Sequence, residues 1–203
     1  MGVPDAHDTV RTLLDEGYVV VRDAFEKDAV ATRLVRLCGG SDYQSIADSY
    51  EDEDLALGPS RTNFRVPHRK RGELLSAPLA DVLRLVDPQI SWYDASIITA
   101  LPGRGRQPTH RDYAMPEHAD QCWKLVVFTP ADDVAPRGGE TVVYPRTHLG
   151  DDSHTRIKRV RLQSGDALVF FSSLRHYGAA NHTDAPRIVY SQTFEARIPE
   201  LLA

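Results

Sequence analysis

The segment Thr109-His110-Arg111-Asp112-Tyr113 sets an imidazole and a carboxylate two residues apart. On an extended strand such residues project from the same face, so His110 and Asp112 aim at one point. Two donors do not hold a metal, and a third has to come from far along the chain. The best candidate is His176, in Ser172-Ser173-Leu174-Arg175-His176-Tyr177-Gly178, directly after the apolar run Ala167–Phe171. Two imidazoles and one carboxylate form the facial triad that binds Fe(II) in non-haem oxygenases and leaves coordination positions open for substrate and O₂. His-x-Asp alone is a weak signal, and the order of the segments downstream strengthens it. His182 is the rival third donor, but it lies in the polar turn Asn181-His182-Thr183-Asp184, where a side chain faces water. His148 reads as a structural or supporting residue, and His7, His68, His118 and His154 as exposed ones.

Other residues could serve a ligand at such a centre. Arg187 opens the segment Pro186-Arg187-Ile188-Val189-Tyr190. A lone guanidinium among β-branched residues is costly unless it has a partner. Its fork suits a bidentate carboxylate, either a ligand's or one of the chain's own acids. Arg65 and Arg69 belong to a basic cluster (Arg61, Arg65, His68, Arg69, Lys70, Arg71) that follows Glu51-Asp52-Glu53-Asp54. That cluster is either a solvated face balanced by the acids or a recognition patch for an acidic substrate. Tyr113 and Trp123 are candidates to line a substrate pocket, with core packing the plainer role.

The elements that must position these residues change character along the chain. The spacing predicts helices over Asp8–Glu16, Glu26–Cys38 and Leu74–Val86, with apolar positions Val10, Leu13 and Leu14, then Val30, Leu34 and Leu37, then Leu75, Leu79, Val82 and Leu85. Gly17 ends the first, and Tyr18–Val21 reads as a strand. Periodicity is lost from Ser41 to Ser60, so residues 41–72 read as a mobile lid. Beyond Ile90 come short β-rich segments: Ser91–Leu101, Thr109–Asp112, Cys122–Thr129, Glu140–Tyr144, Arg156–Leu162, Ala167–Phe171, Arg175–Gly178 and Pro186–Glu195. Such a series predicts a jelly roll or sandwich, mainly β, with the helices packed on one outer face.

The chain has 203 residues, 41% hydrophobic and 26% charged, with a formal net charge of −5. That length predicts one domain, with a β core over about 91–195 and a helical and lid region over about 1–90. The mild acidity argues against non-specific nucleic-acid binding. No apolar run reaches the roughly 18 residues of a membrane span. The N-terminus shows no basic and apolar leader, and Cys38 and Cys122 read as reduced residues, so the expected location is cytoplasmic.

The C-terminal half resembles the phytanoyl-CoA dioxygenase-like group of Fe(II)/2-oxoglutarate oxygenases. The resemblance rests on Pro102-Gly103-Arg104-Gly105-Arg106-Gln107-Pro108-Thr109-His110-Arg111-Asp112, similar to that family's approach to its His-x-Asp. It rests also on the Asp-rich turn Asp132–Thr141, on Tyr144-Pro145-Arg146-Thr147-His148, and on Gly165-Asp166-Ala167-Leu168-Val169-Phe170 leading to His176 and then Arg187. Arg146 and Thr147 depart from the family's Pro-Gly-Ser-His signature. The resemblance implies a double-stranded β-helix (cupin-like jelly roll) with Fe(II) held by His110, Asp112 and His176, and with 2-oxoglutarate and O₂ as co-substrates. It implies that Arg187 holds the distal carboxylate of 2-oxoglutarate. By position, Gln107, three residues before His110, and Lys124, on the following strand, are either candidates for the end of the co-substrate closer to the metal or solvated side chains. The resemblance further implies a hydroxylase-type oxidation of a small molecule, with release of succinate and CO₂. Relatives that halogenate carry a small residue where Asp112 stands, so halogenation is not expected. A cupin-like iron dioxygenase without 2-oxoglutarate and a non-catalytic jelly-roll binding module are the alternative readings.

Overall fold

The computed structural model describes residues 5–37, 62–66, 74–118 and 121–198. Its elements run α1 (Ala6–Glu16), β1 (Tyr18–Val21), α2 (Ala29–Leu37), β2 (Thr62–Arg65), α3 (Ala77–Val86), β3 (Ser91–Ala100), β4 (Trp123–Pro130), β5 (Thr141–Val143), β6 (Lys158–Val160), β7 (Ala167–Phe171), β8 (His176–Gly178) and β9 (Arg187–Ala196). Two antiparallel sheets result. The larger has the order β1-β7-β4-β9-β3-β2, and the smaller β6-β5-β8. This is the mainly β jelly-roll architecture expected from the sequence.

Period-two alternation divides the large sheet into two apolar faces. Trp123, Leu125, Val127, Val169 and Phe171 point outward and meet Leu13 of α1 and Leu79, Val82 and Leu83 of α3. Ile97, Ile188 and Tyr190 also point outward, beneath Val30 and Leu34 of α2. Val126, Phe128, Leu168, Phe170 and Val189 point inward, toward Val143, Val160 and Leu174. Phe170 and Phe171 are both fully buried on opposite faces. Each such side chain contributes about 1.5–3 kcal/mol relative to exposure.

Local chemistry fixes the helix ends. Asp5 caps α1, and Gly17 closes it in the left-handed conformation (φ +81°), its N–H donating to the Leu13 carbonyl. Gly17 also allows a close approach, since a Cβ there would lie 2.5 Å from His148 Nδ1. Ser76 caps α3, which carries a proline in its first turn. That helix therefore starts three residues later than the periodicity suggests. It buries Leu83, whereas Leu85 is exposed.

The sequence reading needs other corrections. Thr109–Asp112 is not a strand; it pairs with β8 at one bridge, His110 with His176. Part of the expected lid is sheet, because β2 forms the edge beside β3, with Thr62 opposite Thr99 and Arg65 opposite Ser96. The rest of the expected lid, residues 41–61 and 67–72, lies outside the described residues. Among the described residues, no helix is long and apolar enough to cross a membrane.

Candidate metal centre

The segment carrying His110 and Asp112 is stitched to the small sheet by backbone hydrogen bonds. His110 and His176 exchange N–H···O=C bonds of 2.9 and 3.0 Å, and the Asp112 N–H donates to the Ser172 carbonyl at 2.9 Å. A hydrogen-bonded antiparallel pair puts both side chains on one face, and the two imidazole centroids lie 4.4 Å apart. Asp112 Oδ1 is 3.6 Å from Nε2 of each histidine. The three donor atoms all lie within 4.8 Å of one another.

The outer partners orient the rings. His110 Nδ1 lies 2.9 Å from the Pro108 carbonyl and His176 Nδ1 2.9 Å from the Leu174 carbonyl. A carbonyl only accepts, so each Nδ1 carries the hydrogen and each Nε2 presents its lone pair to the common point. Burial pushes the pKa of His176 down, which outweighs the pull of Asp112 in the other direction. Burial also works against protonated His110, but hydrogen bonds to Asp112 and Pro108 prevail and its pKa is raised. Burial opposes the charge on Asp112, yet the two imidazoles beside it hold its carboxyl below the usual range. A neutral His176 beside an ionised carboxylate is what a divalent cation requires. The donor set therefore fits a metal of the non-haem Fe(II) kind.

The three donors open into a cavity of about 190 Å³ between the two sheets. Arg187 lines it from the start of β9, buried at 8% exposure, with Nε donating to the Gly139 carbonyl at 2.9 Å. Gln107 lines it from the other side. Its N–H and Oε1 bond both backbone groups of Gly178, at 2.9 and 2.8 Å, so the side chain continues the ladder beyond β8. Tyr113 is at the cavity wall, edge-on to Tyr93 at 6.2 Å.

Other expected site residues are placed elsewhere. Trp123 is 1% exposed on the outward face of β4, with Nε1 donating to the Ile198 carbonyl and its ring against Phe171. It packs the core beneath α1 and α3 and does not line this cavity. Lys124 faces inward but is held by Glu195 at 2.7 Å and lies 3.5 Å from the Tyr93 ring centroid, outside the cavity lining. Arg65 stands in β2, and its side chain, like all of Arg69, lies outside the described residues. His182 is exposed in its turn. His148 is buried, stacked on Phe171 and bonded to the Leu14 carbonyl, a structural residue tying α1 to the jelly roll.

Sequence reasoning did not reach Asp94, Ser96, Ser191 and Thr193, all of which line the cavity. Counting by twos from Arg187 along β9 gives Val189, Ser191 and Thr193, so the signal was present. It becomes usable only once Arg187 is known to face inward. Arg111, between the two candidate ligands, bonds the Ser173 carbonyl and Asp152 and so anchors the segment to two neighbouring loops.

A family model described as phytanoyl-CoA dioxygenase (PhyH) matches residues 13–189. Dioxygenase trt7 of Aspergillus terreus (strain NIH 2624 / FGSC A1156) is 29% identical over 133 residues, 58% of this chain and 46% of its own. The chain thus spans about half the length of that curated relative. Among solved structures, the non-heme alpha ketoglutarate dependent carbocyclase SnoK from nogalamycin biosynthesis superposes with a TM-score of 0.74 at 17% identity, over 97% of this chain and 87% of its own. EvdO2 from Micromonospora carbonacea var. aurantiaca, complexed with 2-oxoglutarate, gives 0.70 at 21% identity over 96% and 92%. At these identities the structural likeness establishes the fold.

Proposed function

This chain belongs to the phytanoyl-CoA dioxygenase family of Fe(II)- and 2-oxoglutarate-dependent oxygenases, and we propose that it hydroxylates, or otherwise oxidises, a small molecule in the cavity between its two sheets. The observation that carries this reading is the convergence of His110 Nε2, His176 Nε2 and Asp112 Oδ1 on one point of a cavity that also holds Arg187. Iron bound there, with 2-oxoglutarate and O₂, supplies the oxidising power and releases succinate and CO₂.

The protein's own residues bind, orient and enclose. His110 and His176 offer Nε2 because carbonyls hold their Nδ1 hydrogens. Asp112 completes the face and, as a tethered anion, leaves no room there for chloride. Arg187 takes the distal carboxylate of 2-oxoglutarate through its fork, with Gly139 fixing Nε. Gln107 supports the other end of the co-substrate by holding Gly178 beside His176. Tyr113 borders the substrate space. Phe170 and Phe128 exclude water on the inner face of the large sheet.

An anionic group on the substrate belongs to this reading. Its support is the register of β2, which sets Arg65 opposite the cavity-lining Ser96. A cytoplasmic location belongs to it too, with Cys122 a free thiol. Succinate formation over a panel of candidate acids tests the reading. Turnover that needs both Fe(II) and 2-oxoglutarate supports it, and oxidation without 2-oxoglutarate would refute it.

A further inference from the structure

The wall of the cavity on the large sheet is a lattice set by strand register. Two rows cross β4, β9 and β3: Val126, Thr193 and Asp94 in one, Phe128, Ser191 and Ser96 in the other. All six residues line the cavity. Neighbours across strands lie about 5 Å apart, and the two rows about 6.6 Å apart along each strand. One side of the lattice is therefore apolar and the other carries three hydroxyls and a carboxylate.

Ser191 and Thr193 are more than nine-tenths buried. Ser96, Ser191 and Thr193 all line the cavity, so a ligand there meets their side chains. Buried hydroxyls require hydrogen-bond partners, and an apolar ligand at this wall would offer them none. Arg187 is four residues from Ser191, about 13 Å of strand, so the hydroxyls are distinct from the arginine end. A register shift between Trp92 and Asp94 marks a bulge in β3. Beside it Tyr93 meets Tyr113 edge-on, forming an aromatic rim. Bulges of this kind re-aim side chains next to sites.

We propose that the substrate is a polyhydroxylated ring whose hydroxyl edge is read by Ser96, Ser191 and Thr193 and whose C–H face lies on Val126 and Phe128. Such a ring has both characters of the wall: an edge of donors and acceptors at short spacing, and a face of C–H groups. The inference rests on the oxygenase reading above and adds the substrate's chemical class.

The test uses full-length protein loaded with redox-inert Zn(II) and 2-oxoglutarate, with saturation-transfer NMR of added probes. The probes are methyl glucopyranoside (hydroxyls without charge), glucuronate (both) and cyclohexanecarboxylate (charge without hydroxyls). Methyl glucopyranoside and glucuronate are expected to bind and to compete, and cyclohexanecarboxylate to bind at least tenfold more weakly than glucuronate. The pair Ser191→Ala/Thr193→Val, and separately Ser96→Ala on the neighbouring strand, should weaken methyl glucopyranoside at least tenfold while 2-oxoglutarate affinity stays within twofold. Equal binding of cyclohexanecarboxylate, no transfer to either sugar, or loss of 2-oxoglutarate in these variants would each overturn the proposal. Failure of the wild type to bind 2-oxoglutarate, read in the same samples before any probe is added, would overturn the oxygenase reading on which it rests.

Discussion

His110 and His176 form an antiparallel bridge in which their backbones bond each other in both directions, and the same pairing brings their imidazoles to 4.4 Å. Sheet register is thus also site geometry. Asp112, two residues along the same segment, comes under both rings because its N–H is held by Ser172. A slip of one residue in this pairing would send His110 to the other face.

Replacing His176 by alanine should therefore weaken Fe(II) binding by more than the roughly 10–100-fold seen when an outer partner of a ligand is lost. His182→Ala, in an exposed turn, should leave it unchanged. Anaerobic Fe(II) titration distinguishes the two. Lost affinity in the His182 variant with retained affinity in the His176 variant would exchange their roles.

Arg187→Ala should raise the 2-oxoglutarate requirement about tenfold or more, the equivalent of about 1.5–3 kcal/mol for a charge-assisted bond. The substrate requirement should change far less. Arg187→Lys keeps the charge but loses the fork, and should recover only part of the affinity. An unchanged 2-oxoglutarate dependence in the alanine variant would remove Arg187 from the co-substrate site.

Gly17 and His148 predict a stability effect far from the cavity. A Cβ at position 17 meets His148 Nδ1 at 2.5 Å and Leu174 at 2.7 Å. Left-handed backbone alone costs a non-glycine residue about 1–2 kcal/mol. Gly17→Ala should thus lose more than that in denaturant unfolding, with the metal-binding face intact in what remains folded. A loss below about 1 kcal/mol would mean that α1 shifts freely on the sheet.

His148 should also make stability depend on pH. Burial holds its pKa below the ordinary histidine value, against weaker opposing pulls from the Leu14 carbonyl and nearby acids. The unfolded chain therefore binds a proton at His148 before the folded one does. Stability conferred by the neutral ring is present above the unfolded pKa of about 6.5 and falls as pH drops below it. His148→Gln should be less stable at pH 7.5 by about 1–3 kcal/mol, the usual cost of a broken buried hydrogen bond. The gap should narrow at pH 5.5, and a gap that widens on acidification would contradict the assignment of a neutral His148.

The sequence carried the sheet architecture well where local signals agree. Tyr18–Val21 and Ala167–Phe171 are β-branched and aromatic runs, and they pair with each other as β1 and β7. The faces of β4 were harder to read. Nearly every residue of that strand is buried on one side or the other, so hydropathy does not alternate and Trp123 could not be assigned a face. Tertiary pairing alone decides that Trp123 meets the helices while Val126 and Phe128 meet the cavity. β2 escaped notice for a related reason: Thr62–Arg65 sits in a basic stretch, and its pairing with β3 makes it a strand. Among the candidate site residues, His110 and Asp112 stood out because donor type and spacing are written locally, and His176 because it directly follows the apolar run Ala167–Phe171. Ser96, Ser191 and Thr193 are ordinary hydroxyl residues whose significance comes from the register of two strands far apart in the chain.

Anaerobic visible spectroscopy of the Fe(II)-loaded protein tests the central claim most directly. If His110, Asp112 and His176 hold iron with positions left open, adding 2-oxoglutarate should produce a charge-transfer absorption at one equivalent of metal per chain. The His176→Ala variant should lack it, and Arg187→Ala should need about tenfold more 2-oxoglutarate to reach it. A wild-type protein that binds Fe(II) at these residues but gives no absorption change with 2-oxoglutarate would contradict the account.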